Sequence, residues 1–208
     1  MPNDSKPLPG AQFNSDQLDA SLRRYGFEPV SEPQIDDFYH LADSLIDGDI
    51  AGPSVLRRVQ AWTGRALHMR SRHGKPNAIL ASIPLTTLGR DALLSGEFGF
   101  ANARRDWVCG PGDGCDALLS WGMAGDSPAA QNASVRGLLA GWFEFYGKTP
   151  VYARVRSASG GRLLSRLGFE PCDSPNLSSQ LYHACGLPRR LRHRLSRYLN
   201  SPNSEVLS

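Results

Sequence analysis

Apolar positions recur at helical spacing over Glu32–Asp47, where Ile35, Phe38, Leu41, Ala42, Leu45 and Ile46 share one face. Pro33 suits the start of such a helix and Gly48 its end. Pro53 opens a further helix, with Val55, Leu56, Val59 and Trp62 as its buried stripe. A short helix is expected over Asp16–Tyr25, stopping at Gly26. The pattern then shortens. Ala66–Arg70 and Ala78–Leu85 read as two strands joined by a hairpin loop over Ser71–Asn77, which holds Gly74 and Pro76. Leu88–Leu94 reads as a short helix, and Gly96–Gly114 as a long glycine-rich connection of the kind that builds sites.

From Asp116 onward the order is strand, helix, strand, helix, strand, strand. The apolar run Ala117–Met123 is a strand. Gly125, Asp126, Ser127 and Pro128 form a turn, with Ser127 as N-cap and Pro128 at the first helical position. The helix runs to about Tyr146 and is closed by Gly147. Val151–Val155 is a strand, Ser157–Leu167 a helix ended by Gly168, and Phe169–Cys172 and Leu181–Cys185 the last two strands. Strands separated by helices imply parallel neighbours. A hairpin before them and a strand pair after them make the fold class α/β, with a mixed sheet and flanking helices.

Composition narrows the functional classes. A chain of 208 residues with 40% hydrophobic and 21% charged residues supports one soluble domain. The boundaries read as a structureless arm over 1–15, a domain over 16–186 and a basic tail over 187–208. The net charge of +3 is too mild to imply a nucleic-acid partner by itself. The four cysteines lack CxxC spacing and the five histidines lack partners at ligand spacing, so no metal is expected. Reduced thiols, a polar proline-rich start and the absence of a membrane-length apolar run point to the cytoplasm.

The segment VYARVRSASGGRLLSRLGFEP, Val151–Pro171, is the sharpest motif. Strand, small-residue turn and helix closing on Leu167-Gly168-Phe169 resemble the C-terminal half of the GNAT superfamily, which transfers acyl groups from acyl-CoA to amines. The resemblance covers about the last two-fifths of the chain, and the preceding hairpin more loosely, and it implies that the mixed sheet is mostly antiparallel with a central parallel strand pair. It implies acetyl-CoA or another acyl-CoA as co-substrate and an amine as acceptor. The thioester arm would lie on Trp121, Gly122 and Met123, with backbone amides polarising its carbonyl. Its pyrophosphate would lie at Gly125, Ser127, Gln131, Asn132 and Ala133, where a helix N-terminus offers unsatisfied N–H groups.

The chain departs from the family pattern at several positions. Counting from Gln131, Ser134 and Arg136 stand where small residues are usual, where side chains could obstruct the phosphates. Asp126 adds negative charge beside the anion site. Leu164 occupies the place of a tyrosine acid, and Ser157 that of an asparagine. Tyr182, on the last strand, is the candidate replacement acid, and His183 a candidate base; alternation allows only one to face a site. Glu97 and Asp106-Trp107 in the long connection are candidate acceptor-pocket residues, and Cys109 and Cys115 candidate thiol acyl carriers. A non-catalytic binding or regulatory module on the same fold is the first alternative. The second rests on LPRRLRHRLSRYLN, Leu187–Asn200, an amphipathic helix able to meet nucleic acid or an anionic membrane, or to dock on its own domain through leucines spaced by four.

Overall fold

The computed structural model describes residues 11–12, 15–99, 101–142, 149–155, 157–172 and 180–185. The basic tail from 187 onward and Phe143, Tyr146 and Gly147, expected to finish a helix, lie outside them. Ala11–Gln12 (β1) pairs antiparallel with Gly114–Cys115 (β5), so a strand stands within the arm expected to lack structure. Ladder bonds use only the backbone, and an apolar side-chain pattern is not needed to form them.

The main sheet has seven strands: Phe27–Pro29 (β2), Leu67–Arg72 (β3), Lys75–Leu85 (β4), Ala117–Gly125 (β6), Val151–Arg154 (β7), Glu170–Pro171 (β8) and Leu181–Ala184 (β9). Their spatial order is β2-β3-β4-β6-β7-β9-β8. Every pairing is antiparallel except that of β6 with β7. The mixed sheet with one central parallel pair is the fold class the sequence implies.

Helices cover both faces. Ile35–Leu45 (α2), Pro53–Thr63 (α3) and Thr87–Ser95 (α4) pack on one, where Phe38, Val59, Ile79, Ile83, Leu93 and Leu119 form a core. Ser15–Arg23 (α1), Pro128–Ala140 (α5) and Ala158–Arg166 (α6) pack on the other, with Leu22, Leu80, Leu118, Leu139 and Leu164. Adjacent strand residues such as Ile79 and Leu80 enter opposite cores, as the two-residue strand period requires.

The hairpin between β3 and β4 is tighter than the expected 71–77 loop. Its turn is His73-Gly74, with φ of 52° and 74°. Positive φ at both central residues matches the twist of the flanking strands and lets pairing run to Arg72↔Lys75. Gly125 is likewise in a strand rather than a turn, since pairing of β4 with β6 continues to Ala78↔Gly125. Trp62, expected in the buried stripe of α3, is only partly buried, and Thr63 takes the buried position.

The two closing signals of the C-terminal half act as their chemistry dictates. The Ser127 hydroxyl accepts the Ala130 amide hydrogen and Pro128 follows at the first helical position. Gly168 has φ of 81°, and the Phe169 amide donates to the Leu164 carbonyl at 3.0 Å, closing α6 in a left-handed cap. Phe169 then returns to the core against Trp142, with ring centroids 5.2 Å apart.

Candidate functional site

Strands β6 and β7 part company after three residues. Their pairing runs Leu118↔Val151, Leu119↔Tyr152 and Ser120↔Ala153, and β6 then continues alone on that side to Gly125. The cause lies in the β4–β6 register. Ser82 faces Ser120 but Ala81 faces Gly122, so Trp121 is an extra residue on β6. Such a bulge bends its strand and increases its local twist. Past it, the edge of β6 that would have met β7 faces a cavity of about 620 Å³.

The cavity passes through this opening from one face of the sheet to the other. On the α6 side it meets Ser157, Ser159, Leu163, Leu164, Arg162 and Arg166. On the other side it meets Phe38, Ala42 and Ile46 of α2, Leu56 of α3, and Ile79 and Ala81 of β4. Asp47 and Asp49, both exposed, stand at the rim between α2 and α3. Ala153, Arg154 and Val155 carry the β7 wall, and the Arg154 guanidinium is held by a hydrogen bond to the Phe98 carbonyl.

Of the residues singled out from sequence, Trp121, Gly122, Met123 and Gln131 line this cavity. Gly125 and Ser127 shape the junction behind it. A Cβ on Gly125 would stand 2.3 Å from the Gln131 nitrogen and 2.4 Å from the Ala130 carbonyl carbon, so the absent side chain lets α5 seat against the end of β6. Ala133 packs on the core beneath α5, and Asn132 is half-buried on the same helix. Ser134 is fully buried and donates to the Ala124 carbonyl at 2.9 Å, so its hydroxyl turns into the strand and leaves the cavity clear. The Asp126 amide donates to the Asn77 carbonyl.

The candidate acids and bases lie elsewhere. Tyr182 is outside the cavity lining, in an adjoining, more open depression that shares Val155, Ser157, Arg162 and Arg166 with it, and its hydroxyl lies 3.4 Å from Gln180 Oε1. His183 faces the opposite side of β9, with Nδ1 3.2 Å from the Cys172 sulfur and its ring stacked on Tyr152 at 6.1 Å. Burial raises the Tyr152 phenol above its ordinary value. Leu164, at the acid position, is buried against the cavity. Glu97 and Asp106 are exposed and outside the cavity lining, Asp106 paired with Arg104 at 2.8 Å. Cys109 and Cys115 are buried, and contact with Cys109 together with burial pushes the Cys115 thiol up, away from the thiolate an acyl carrier needs. Among the described residues no group of three or more His, Cys, Asp or Glu could hold a metal, and no helix is long and apolar enough to cross a membrane.

Sequence reasoning missed the α2–α3 wall. The helical stripe over Ile35–Ile46 announces a buried face, but only the sheet topology brings Phe38, Ala42 and Ile46 to the end of β6.

No protein-family model and no curated protein sequence matches the chain. Solved structures do. A GNAT-like decarboxylase, GphF, in complex with isobutyryl-CoA superposes with a TM-score of 0.52 at 12% identity, covering 76% of this chain and 98% of that one. A histone acetyltransferase HPA2-related acetyltransferase from Corynebacterium glutamicum gives 0.46 at 14% identity over 78% and 96% of the two chains. A GNAT-family acetyltransferase from Streptococcus agalactiae gives 0.46 at 11% identity over 78% and 95%. The chain thus has the GNAT fold in divergent form.

Proposed function

We propose that the protein binds an acyl-CoA in the opening between β6 and β7 and transfers its acyl group to an amine. The observation that carries this reading is the three-residue pairing of β6 with β7, followed by a bulge at Trp121 and a cavity through the gap. A pantetheine arm is itself a chain of amides, and β6 past the bulge, at Gly122 and Met123, brings backbone groups to the cavity that can pair with it. The diphosphate would meet the N-terminus of α5, where the helix dipole favours an anion; Pro128 brings no N–H and the Ala130 amide is held by Ser127, so the dipole carries this contact. Arg162 and Arg166, four residues apart on α6, line the same entrance and add positive charge. The side chain of Ser134, turned away, removes the obstacle its position suggested. The isobutyryl-CoA held by the GphF decarboxylase supports a CoA thioester on this framework.

In the transfer step, the amine nitrogen attacks the thioester carbonyl carbon, the carbon–sulfur bond breaks and CoA leaves as the thiolate. Backbone amides of β6 stabilise the developing oxyanion. The amine attacks in its neutral form, and the proton it loses as the amide forms passes to water. Solvent protonates the thiolate.

A second reading has its own observation. The described cavity lining holds no Tyr, His, Cys, Glu or Lys, and Leu164 fills the acid position. That favours a module that binds acyl-CoA without turnover. The two readings share the ligand and separate on chemistry. A ligand bound only by the folded state adds about 2.7 kcal/mol at a hundredfold excess over Kd, roughly 5–10 °C in Tm for a chain of this size. The expected result is such a shift with CoA and acetyl-CoA, and thiol release when an amine panel is added. A shift without thiol release selects the binding module. No shift with either ligand removes both.

A further inference from the structure

We infer that the acyl group this site takes is an unbranched or branched hydrocarbon chain of several carbons, rather than acetyl. The inference rests on the acyl-CoA reading and names the substrate class within it. The opening at Trp121 leads, on the α2 face of the sheet, into a chamber walled by Phe38, Ala42, Ile46, Ala51, Leu56 and Ala81. Every one of these is apolar. The carboxylates of Asp47 and Asp49 are exposed at its rim.

Three alanines among the six leave the chamber open. Ala42, Ala51 and Ala81 are themselves at most 5% exposed, so they are wall and not loose surface. Gly122 adds to the space: a Cβ there would touch the Ile46 Cδ1 at 3.4 Å. The whole cavity, at about 620 Å³, falls in the range of pockets that enclose drug-sized ligands. Acetyl places one methyl beyond its carbonyl. With the carbonyl at the bulge, that methyl stops at the threshold and leaves an apolar chamber to water. A longer chain replaces that water, and each buried methylene is worth about three- to fourfold in affinity. The six wall residues offer a polar or charged acyl group no hydrogen-bonding side chain, and the Arg154 guanidinium on the same face of the sheet is engaged by the Phe98 carbonyl, so such a group is disfavoured.

The test is a calorimetric titration of the full-length chain with CoA, acetyl-, butyryl- and hexanoyl-CoA, and with malonyl-CoA as the polar control. The expected result is a Kd that falls at each added pair of methylenes, hexanoyl-CoA binding at least tenfold more tightly than acetyl-CoA and malonyl-CoA more weakly. Ala42→Leu, which narrows the chamber, is expected to cut the hexanoyl-to-acetyl ratio at least fivefold. Equal affinities across the series, or a preference for malonyl-CoA, overturn this inference while leaving CoA recognition standing. No binding by any of the five overturns the inference together with the reading beneath it. The wild-type series decides the matter should the Ala42 variant fail to fold.

Discussion

Gly125→Val is expected to lower the melting temperature by roughly 5–10 °C and to abolish the thermal response to CoA. The new Cβ would lie 2.3 Å from the Gln131 nitrogen, 2.4 Å from the Ala130 carbonyl carbon and 2.8 Å from the Ala130 Cβ. Two of these three atoms are helix backbone, which has no rotamer with which to yield. Helix α5 must lift from the strand. Overpacking of this kind costs about 1–3 kcal/mol, which for a chain this long corresponds to a Tm change of several degrees. The same displacement carries the N-terminal end of α5, with Gln131, away from the cavity, so binding falls beyond what the stability loss explains. Gly114→Ala is the control. It also lies in a strand, its Cβ would meet nothing within 4 Å, and its Tm is expected to stay within about 2 °C of wild type. Thermal unfolding with and without CoA measures both effects.

Asp19→Ala carries the second large effect, on α1, which packs on the same face of the sheet as α5. Asp19 on α1 has a side chain 3% exposed and meets Arg65 Nε at 2.6 Å and His68 Nε2 at 3.1 Å. His68 on β3 is itself buried. Burial alone would raise the Asp19 carboxyl, but hydrogen bonds from His68 and Arg65 outweigh it and hold the group below its ordinary value. Burial of His68 pushes its imidazole down, so it is neutral and donates its Nε2 hydrogen to the carboxylate. Removing Asp19 strands a buried donor and a guanidinium. Breaking such a pair costs about 3–5 kcal/mol, and the lower end applies because Arg65 keeps 33% exposure and can rehydrate. Denaturant unfolding of Asp19→Ala is the check, with a loss under about 1 kcal/mol contradicting it. The same cluster sets a pH dependence. Below about pH 6.5 the unfolded chain's histidine takes up a proton that folded His68 refuses, so stability falls with pH. Below about 3.8 Asp19 adds to the loss in the same direction. His68→Gln is expected to flatten the slope between pH 6.5 and 5.

Much of the C-terminal architecture is legible from single residues because local chemistry fixes it. Ser127 and Pro128 open α5, and Gly168 closes α6 before Phe169 turns inward, each for a reason contained within a few residues of chain. Gly125 misleads for the same locality. A glycine serves equally in a turn or where a helix crowds a strand, and only the α5 packing distinguishes them. The His73-Gly74 turn was hidden because a histidine at positive φ is uncommon, and Gly74 and Pro76 together suggested a longer loop. The cavity is the least legible part. Trp121, Gly122, Met123 and Gln131 come from adjacent elements and could be named together. Phe38, Ala42 and Ala51 reach them only across the sheet, from 70 to 93 positions away in sequence, and no local pattern encodes that meeting. The absence of an acid at Leu164 could be read directly; that Tyr182 lies in the adjoining depression could not.

Hydrogen exchange measured residue by residue, with and without a CoA thioester, examines the proposed opening itself. Slowed exchange concentrated in 121–125 and 129–133, with a smaller effect at 154–162, is the expected pattern. Unchanged exchange at 121–125 under saturating ligand, or protection confined to some other part of the molecule, would contradict a thioester seated where β6 leaves β7.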